Sequence, residues 1–122
     1  HLIFEGEVEK GLDIVRTVRE RYDGKARNPF NEYECGGWYA RALSSYSLLQ
    51  ALTGLRYDAV DHILYIDSKI GDSFKKFLST NTGFGTVEVQ QGKPIINVVY
   101  GSLDIESCIV SGNKTDFKYQ AN

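Results

Sequence analysis

Between Arg27 and Arg41 the chain reads RNPFNEYECGGWYAR, which gathers Glu32, Glu34, Cys35, Trp38 and Tyr39 between two arginines. In an extended segment Glu32 and Glu34 point to the same side, with their carboxylates a few ångströms apart. An acid/base pair for glycosidic cleavage must flank the bond from both sides, so two neighbours on one side do not form one. Carboxylates just before a helix have a plainer use. They favour the positive end of its dipole and accept otherwise unpaired amide protons. Arg41 falls in the first turns of an apolar helix, where a guanidinium is costly unless it is paired. Glu32 and Arg41 beside Trp38 and Tyr39 form a set suited to a sugar. Charged forks take vicinal hydroxyls in pairs, and an aromatic face covers the C–H side of the ring. The same pair would serve equally as a clamp between turn and helix, and composition and spacing leave the two even.

Other residues carry weaker chemistry. Gly36-Gly37 before a helix suggests an anion cradle, but the full phosphate-loop spacing is missing, and close packing accounts for the pair more simply. His62 opens a strand far in sequence from any cysteine or carboxylate cluster, so it makes a poor metal ligand. Gly83-Phe84-Gly85 reads as a bend around a buried ring. The two lysines of FKKF read as guards on an edge strand. Cys35 and Cys108 belong to no CxxC or Cys/His pattern. They are expected to be free thiols in a reducing, cytoplasmic setting.

The elements that must position these residues follow from hydrophobic period. Val8, Leu12, Val15, Val18 and Tyr22 form one stripe of a helix expected over 5–23, which Asp23-Gly24 would end. A second helix, expected over 38–53 and ended by Gly54, carries Ala40, Leu43, Tyr46, Leu48, Leu49, Ala51 and Leu52 around most of its circumference. Such a helix expects neighbours on nearly all sides. Beyond Gly54 the period switches to two. HILYI and DSFKKFLS read as strands, followed by strands over 86–90, 95–100 and 103–110. Turns fall at Gln91-Gly92 and Gly101-Ser102. Pro94 belongs at a strand start or edge. The tail from Gly112 is polar and is expected to fray. The expected class is therefore α+β, two helices followed by an antiparallel sheet. Residues 1–55 form the helical part, with an active-site loop over 27–41, and residues 56–122 form the β-rich part.

Length and charge narrow the function classes. The chain has 122 residues with a formal charge of -2, so no basic face for nucleic acid is implied. No apolar run approaches the roughly 18 residues of a membrane span, and no secretory signal is visible. The chain contains no Met, begins at His1 and enters a helix almost at once. With its nearly all-apolar second helix, that reads as a piece of a longer protein.

Three strings carry a family resemblance: EGxVExGLxIVxxVRxRYDG, then RNPFNEYECG, then YARALSSYSLLQALTGLRYD. In this order, and with the later FKKFLSTNTGFGT, they resemble the final part of the catalytic region of glycoside hydrolase family 116. That family includes bacterial and archaeal β-glucosidases and the non-lysosomal glucosylceramidase of animals. The resemblance covers roughly residues 2–86. It implies an (α/α)6 barrel whose last two helices are the ones read above. The implied activity is that of a retaining β-glycosidase acting on a β-glucoside or related carbohydrate, with no cofactor and no metal in the reaction. The two catalytic carboxylates of the family lie in earlier parts of that barrel, so the remainder of the parent catalytic domain is an implied partner. By position, the family's Glu and Arg that hold outer hydroxyls in the −1 subsite are Glu32 and Arg41. Gly36-Gly37-Trp38 departs from the family's more usual polar residues before YAR. A rival reading without catalysis makes the chain an accessory or interaction module that works through its β-sheet surface.

Overall fold

The computed structural model describes residues 1–21, 25 and 42–121, with the backbone alone for 42–44. It is α+β, with two helices followed by eight strands among the described residues. The chain divides into two compact units, His1–Ala51 and Leu52–Asn122.

In the first unit, helix α1 runs over Val8–Glu20. It starts three residues later than the stripe suggests, because Gly6 has φ +88, a left-handed conformation that a regular helix cannot contain. The residues before it form a separate turn, in which Glu5 N–H donates to His1 O (3.2 Å) and Glu7 N–H to Leu2 O (2.9 Å). That turn lays Ile3 over Gly11. A Cβ on Gly11 would lie 2.6 Å from Ile3 Cγ1, so packing excludes a side chain there. Val8, Leu12 and Val15 are half-buried on this side, while Val18 is exposed. The expected contribution of Tyr22 and the stop at Asp23-Gly24 lie outside the described residues.

Helix α2 covers Ala42–Thr53; the part of it expected over 38–41 lies outside the described residues. Its end is well defined. Gly54 takes φ +57 and Gly54 O accepts the Asp67 N–H (3.3 Å), while Leu52 O accepts the Lys69 N–H (2.8 Å). The last carbonyls of the helix are thus answered by the segment after the second strand, and glycine supplies the left-handed step.

The β part forms two four-stranded sheets. The first has the order β1 (Arg56–Asp58), β2 (Ile63–Ile66), β6 (Ser107–Val110), β7 (Asn113–Thr115). The second has the order β3 (Phe74–Ser79), β4 (Gly83–Gln90), β5 (Lys93–Gly101), β8 (Lys118–Ala121). Their inner faces meet on one core that includes Leu64, Ile66, Val87, Ile96, Leu103 and Cys108. The expected single antiparallel sheet is corrected here. Hairpin neighbours are antiparallel, but β2 pairs with β6 and β5 with β8 in parallel.

Turn chemistry accounts for the hairpins. Gln91-Gly92 (φ 51 and 76) and Ser111-Gly112 (φ 47 and 80) both place two left-handed residues in a two-residue loop, the turn whose twist matches the strands. Two further expectations are corrected. The tail does not fray: 113–115 pairs with β6 and 118–121 with β5, while Phe117 packs against the core. Only 107–110 of the strand expected over 103–110 joins a ladder. Leu103 and Ile105 are buried, but the Ile105 N–H turns back to Leu103 O (2.9 Å), so their alternation marks burial without pairing.

The expected edge guard is present. β3 is an edge of its sheet, and Lys76 alternates with exposed Lys75 and Phe77, on the side of buried Leu78. Burial lowers the Lys76 pKa. An inward-leaning charge on an edge strand disfavours further strand addition.

Two outcomes test this account. Gly54→Ala meets both a left-handed φ and Asp67 O, 2.1 Å from the added Cβ, and should cost at least about 1–3 kcal/mol in urea unfolding. An unchanged midpoint refutes the assignment of Gly54 as the helix stop. Lys76→Met should raise the unfolding midpoint, because a charge with a depressed folded-state pKa opposes folding until pH rises through that value. It should also increase aggregation, seen as light scattering; a variant no more prone to aggregate refutes the guard role.

Candidate functional site

Glu32 and Arg41 lie outside the described residues, as do Glu34, Cys35, Gly36, Gly37, Trp38 and Tyr39. The described part of α2 is Ala42–Thr53. Three other places among the described residues bear on chemistry.

The first is the outer face of the β3-β4-β5-β8 sheet. Along β4 the buried positions are Gly83, Gly85, Val87 and Val89, so Phe84, Thr86 and Glu88 point the other way. Phe77 is opposite Thr86 in register, Thr86 opposite Asn97, and Phe84 opposite Tyr100. Phe84 and Tyr100 stack with centroids 5.6 Å apart and planes at 23°. Phe77 joins at 6.0 Å and 40°. The three rings remain 59%, 38% and 70% exposed for Phe77, Phe84 and Tyr100. The expectation of a bend around a buried ring at Gly83-Phe84-Gly85 is corrected: this is strand, and its ring is on the outside. The glycines are needed for the approach of β5. A Cβ on Gly85 would lie 2.0 Å from Asn97 O and one on Gly83 2.3 Å from Tyr100 O. The register shifts between Phe84 and Gly85, which leaves Val99 as an extra exposed residue beside the rings.

The second place is the junction of His62, Tyr57 and Asp104. The Tyr57 hydroxyl donates to Asp104 O (2.8 Å), and His62 Nδ1 lies 2.9 Å from the same oxygen. A carbonyl can only accept, so Nδ1 carries the proton. His62 O accepts the Glu106 N–H (2.9 Å), and His62 itself has φ 53. Burial first, then the carboxylates of Asp104, Asp58 and Glu106, raise the Tyr57 pKa, so the phenol stays a donor. Asp58 accepts the N–H groups of Asp61 and Val60, and these bonds hold its carboxyl below the usual range. This is a bracket that ties the β1–β2 loop to the segment before β6. Among the described residues no group of three or more His, Cys, Asp or Glu side chains could hold a metal ion.

The third is a cleft of about 320 Å³ at one end of the two sheets. Ile66, Phe74, Val89 and Val110 line it, with Ser68, Asp72 and Ser111 among its polar residues. It could take a small apolar group. In the core, Cys108 is fully buried and unbridged, and burial pushes its thiol up to about 11. A thiol that stays protonated at neutral pH is no nucleophile.

No protein-family model matches the chain, and no curated protein matches it. Among the described residues no helix is long and apolar enough to cross a membrane.

The sequence signal for the ring row was its period of two. Phe77 shares parity with Lys75 and Ser79, and Phe84 with Thr86 and Glu88, opposite to the apolar set. Register across the strands, which no local pattern specifies, decides that the rings meet.

Cys108 yields a prediction. In a Cys35→Ser chain, labelling by a disulfide reagent at about pH 8 should be slow and should track unfolding in urea. Labelling as fast as a free thiol would show that the thiol is accessible and ionisable in the native state.

Proposed function

We propose that the chain is the C-terminal part of a retaining β-glycosidase of the family-116 type, in which Glu32 and Arg41 bind outer hydroxyls of the sugar in the −1 subsite. The observation that carries this reading is the ordered string RNPFNEYECG followed by YARALSSYSLLQALTGLRYD. Two helices in succession agree with it. A reducing, cytoplasmic setting belongs to the same reading.

On this reading, covalent and acid/base chemistry comes from carboxylates in the rest of the parent enzyme. Glu32 accepts and Arg41 donates hydrogen bonds far from the anomeric carbon. Such remote contacts orient the ring and contribute binding energy that is realised in the transition state. Arginine suits the place because its fork is planar and permanently charged. Glu34 has no sugar contact on this reading and serves the backbone at the helix start. The exposed ring row on the second sheet favours a second reading, an accessory module that binds through its β surface without catalysis.

The test is made in the full-length parent enzyme. Arg41→Ala and Glu32→Gln should each lose about 2–5 kcal/mol of transition-state binding, roughly 30- to 4,000-fold in kcat/KM. Arg41→Lys should be nearly as harmful as Arg41→Ala. If Glu32 contacts the exocyclic hydroxymethyl, a xyloside should lose less than a glucoside. A clamp without sugar contact predicts equal loss for every substrate together with a lower melting temperature. Wild-type kinetics in a folded Glu32→Gln/Arg41→Lys double variant would end the sugar-pocket reading. The isolated chain should hydrolyse no aryl β-glucoside.

A further inference from the structure

We infer that residues 113–121 form a detachable strap, and that the β5 edge beneath it is a docking surface for the same strap of a second copy of the chain. The inference stands on the β part and does not rest on the reading of Glu32 and Arg41.

Without the strap, the two edges of the second sheet would differ in kind. β3 carries its own guards, Lys75 and Lys76. β5 reads KPIINVVYG and has no charge after Lys93, and its Ile96 and Val98 are buried. That edge is covered by β8, in a parallel register from Ile95–Lys118 to Val98–Ala121. Laid bare, an uncharged edge of this length is a template for another strand. Its occupant follows from its present partner. Residues 118–121 of any copy offer the same backbone and the same side chains.

The strap is lightly held. All four β8 side chains are exposed, and β7 is an edge strand of three residues. Phe117 packs against the core, and the Tyr119 hydroxyl accepts the Leu103 N–H at 3.3 Å. Ladders with so little buried side chain are the ones that open locally, short of global unfolding.

The joint favours exchange. β6 leads into the strap through Ser111-Gly112, and Ser111 is held at φ 47. A left-handed serine is strained, because its Cβ crowds the backbone. A turn that straightens to reach a neighbour relieves that strain, and short strained hinge loops invite swapping. Gln91 is strained in the same way (φ 51), but the strand after it is central in its sheet. A swapped strap remakes in the neighbour the pairing it left. In the closed chain the strap's effective concentration is on the order of 1 mM, so exchange needs a comparable concentration of chains.

Hydrogen exchange of the full 122-residue chain is the first test. The β5 amides bonded to β8 should exchange at urea concentrations that leave β4 protected. Exchange of both only together, by global unfolding, overturns the strap. Two variants, both with Cys35→Ser, then carry either Asn97→Cys or Gln120→Cys, positions that are opposite in register. They are mixed at about 1 mM, taken through the urea midpoint, returned to buffer and oxidised. A swapped dimer joins unlike chains, so the mixed disulfide should predominate. Mainly Asn97→Cys pairs would show two β5 edges side by side and overturn the proposal, as would a chain that stays monomeric in sedimentation. Ser111→Gly, which takes the turn without strain, should lower the dimer fraction several-fold; an unchanged fraction overturns the hinge. Phe117→Ala should speed exchange at the β5 edge about tenfold or more. Should that variant fail to fold, wild-type exchange and the disulfide pattern still decide.

Discussion

The β part of this protein depends on one constraint, that each of its two sheets has one aliphatic face and must bury it against the other. Ile96 and Val87 on one side and Leu64 and Ile66 on the other cannot be dry unless the sheets face each other. Everything with period two then has its direction fixed, since each buried residue sends its neighbours outward. The closure also fixes the tail. Without 113–115 and 118–121, β6 and β5 would each present an unpaired edge of N–H and C=O groups. The tail contributes strand pairing through its backbone, while Phe117 packs against the core. The end of α2 is held the same way, through carbonyls of Leu52 and Gly54 that accept protons from Lys69 and Asp67.

How much of this could be read from the residues depends on how local its cause is. The Gln91-Gly92 hairpin is legible because turn and flanking alternation lie within one short stretch. The second helix and its stop are legible for the same reason, a long apolar run ending at a glycine. The parallel pairs β2–β6 and β5–β8 were not, because no turn residue announces a partner that distant. Alternation at Leu103 and Ile105 misled in another way. It reports which side is buried, and burial does not require a ladder. Gly83 and Gly85 read as a bend when taken one by one. They are the price of bringing β5 close enough for Phe84 to meet Tyr100. The bracket of His62 with Tyr57 and Asp104 joins residues too far apart in sequence to foresee.

The candidate pocket residues show the opposite balance. Glu32 and Arg41 were singled out by residue type and motif, with no geometry to support them among the described residues. The ring row has geometry, and only parity pointed to it beforehand. Charge tells the two apart. A carboxylate and a guanidinium recognise hydroxyls strongly only when water is kept away, because in water their partners are already hydrated. Recognition of that kind needs surrounding walls.

Stacking has no such requirement. An aromatic face gains from covering the C–H side of a ring even at an open surface, since part of the gain is apolar area removed from water. The contribution per ring is small, so an open platform works by repetition along an oligomer, where each added ring raises the effective concentration of the next. In the row across three adjacent strands the sheet holds the rings with centroids 5.6 and 6.0 Å apart. The sugar-pocket reading therefore demands the rest of a catalytic domain, whereas the ring row needs only Leu52–Asn122, the unit with its own core and both of its sheets.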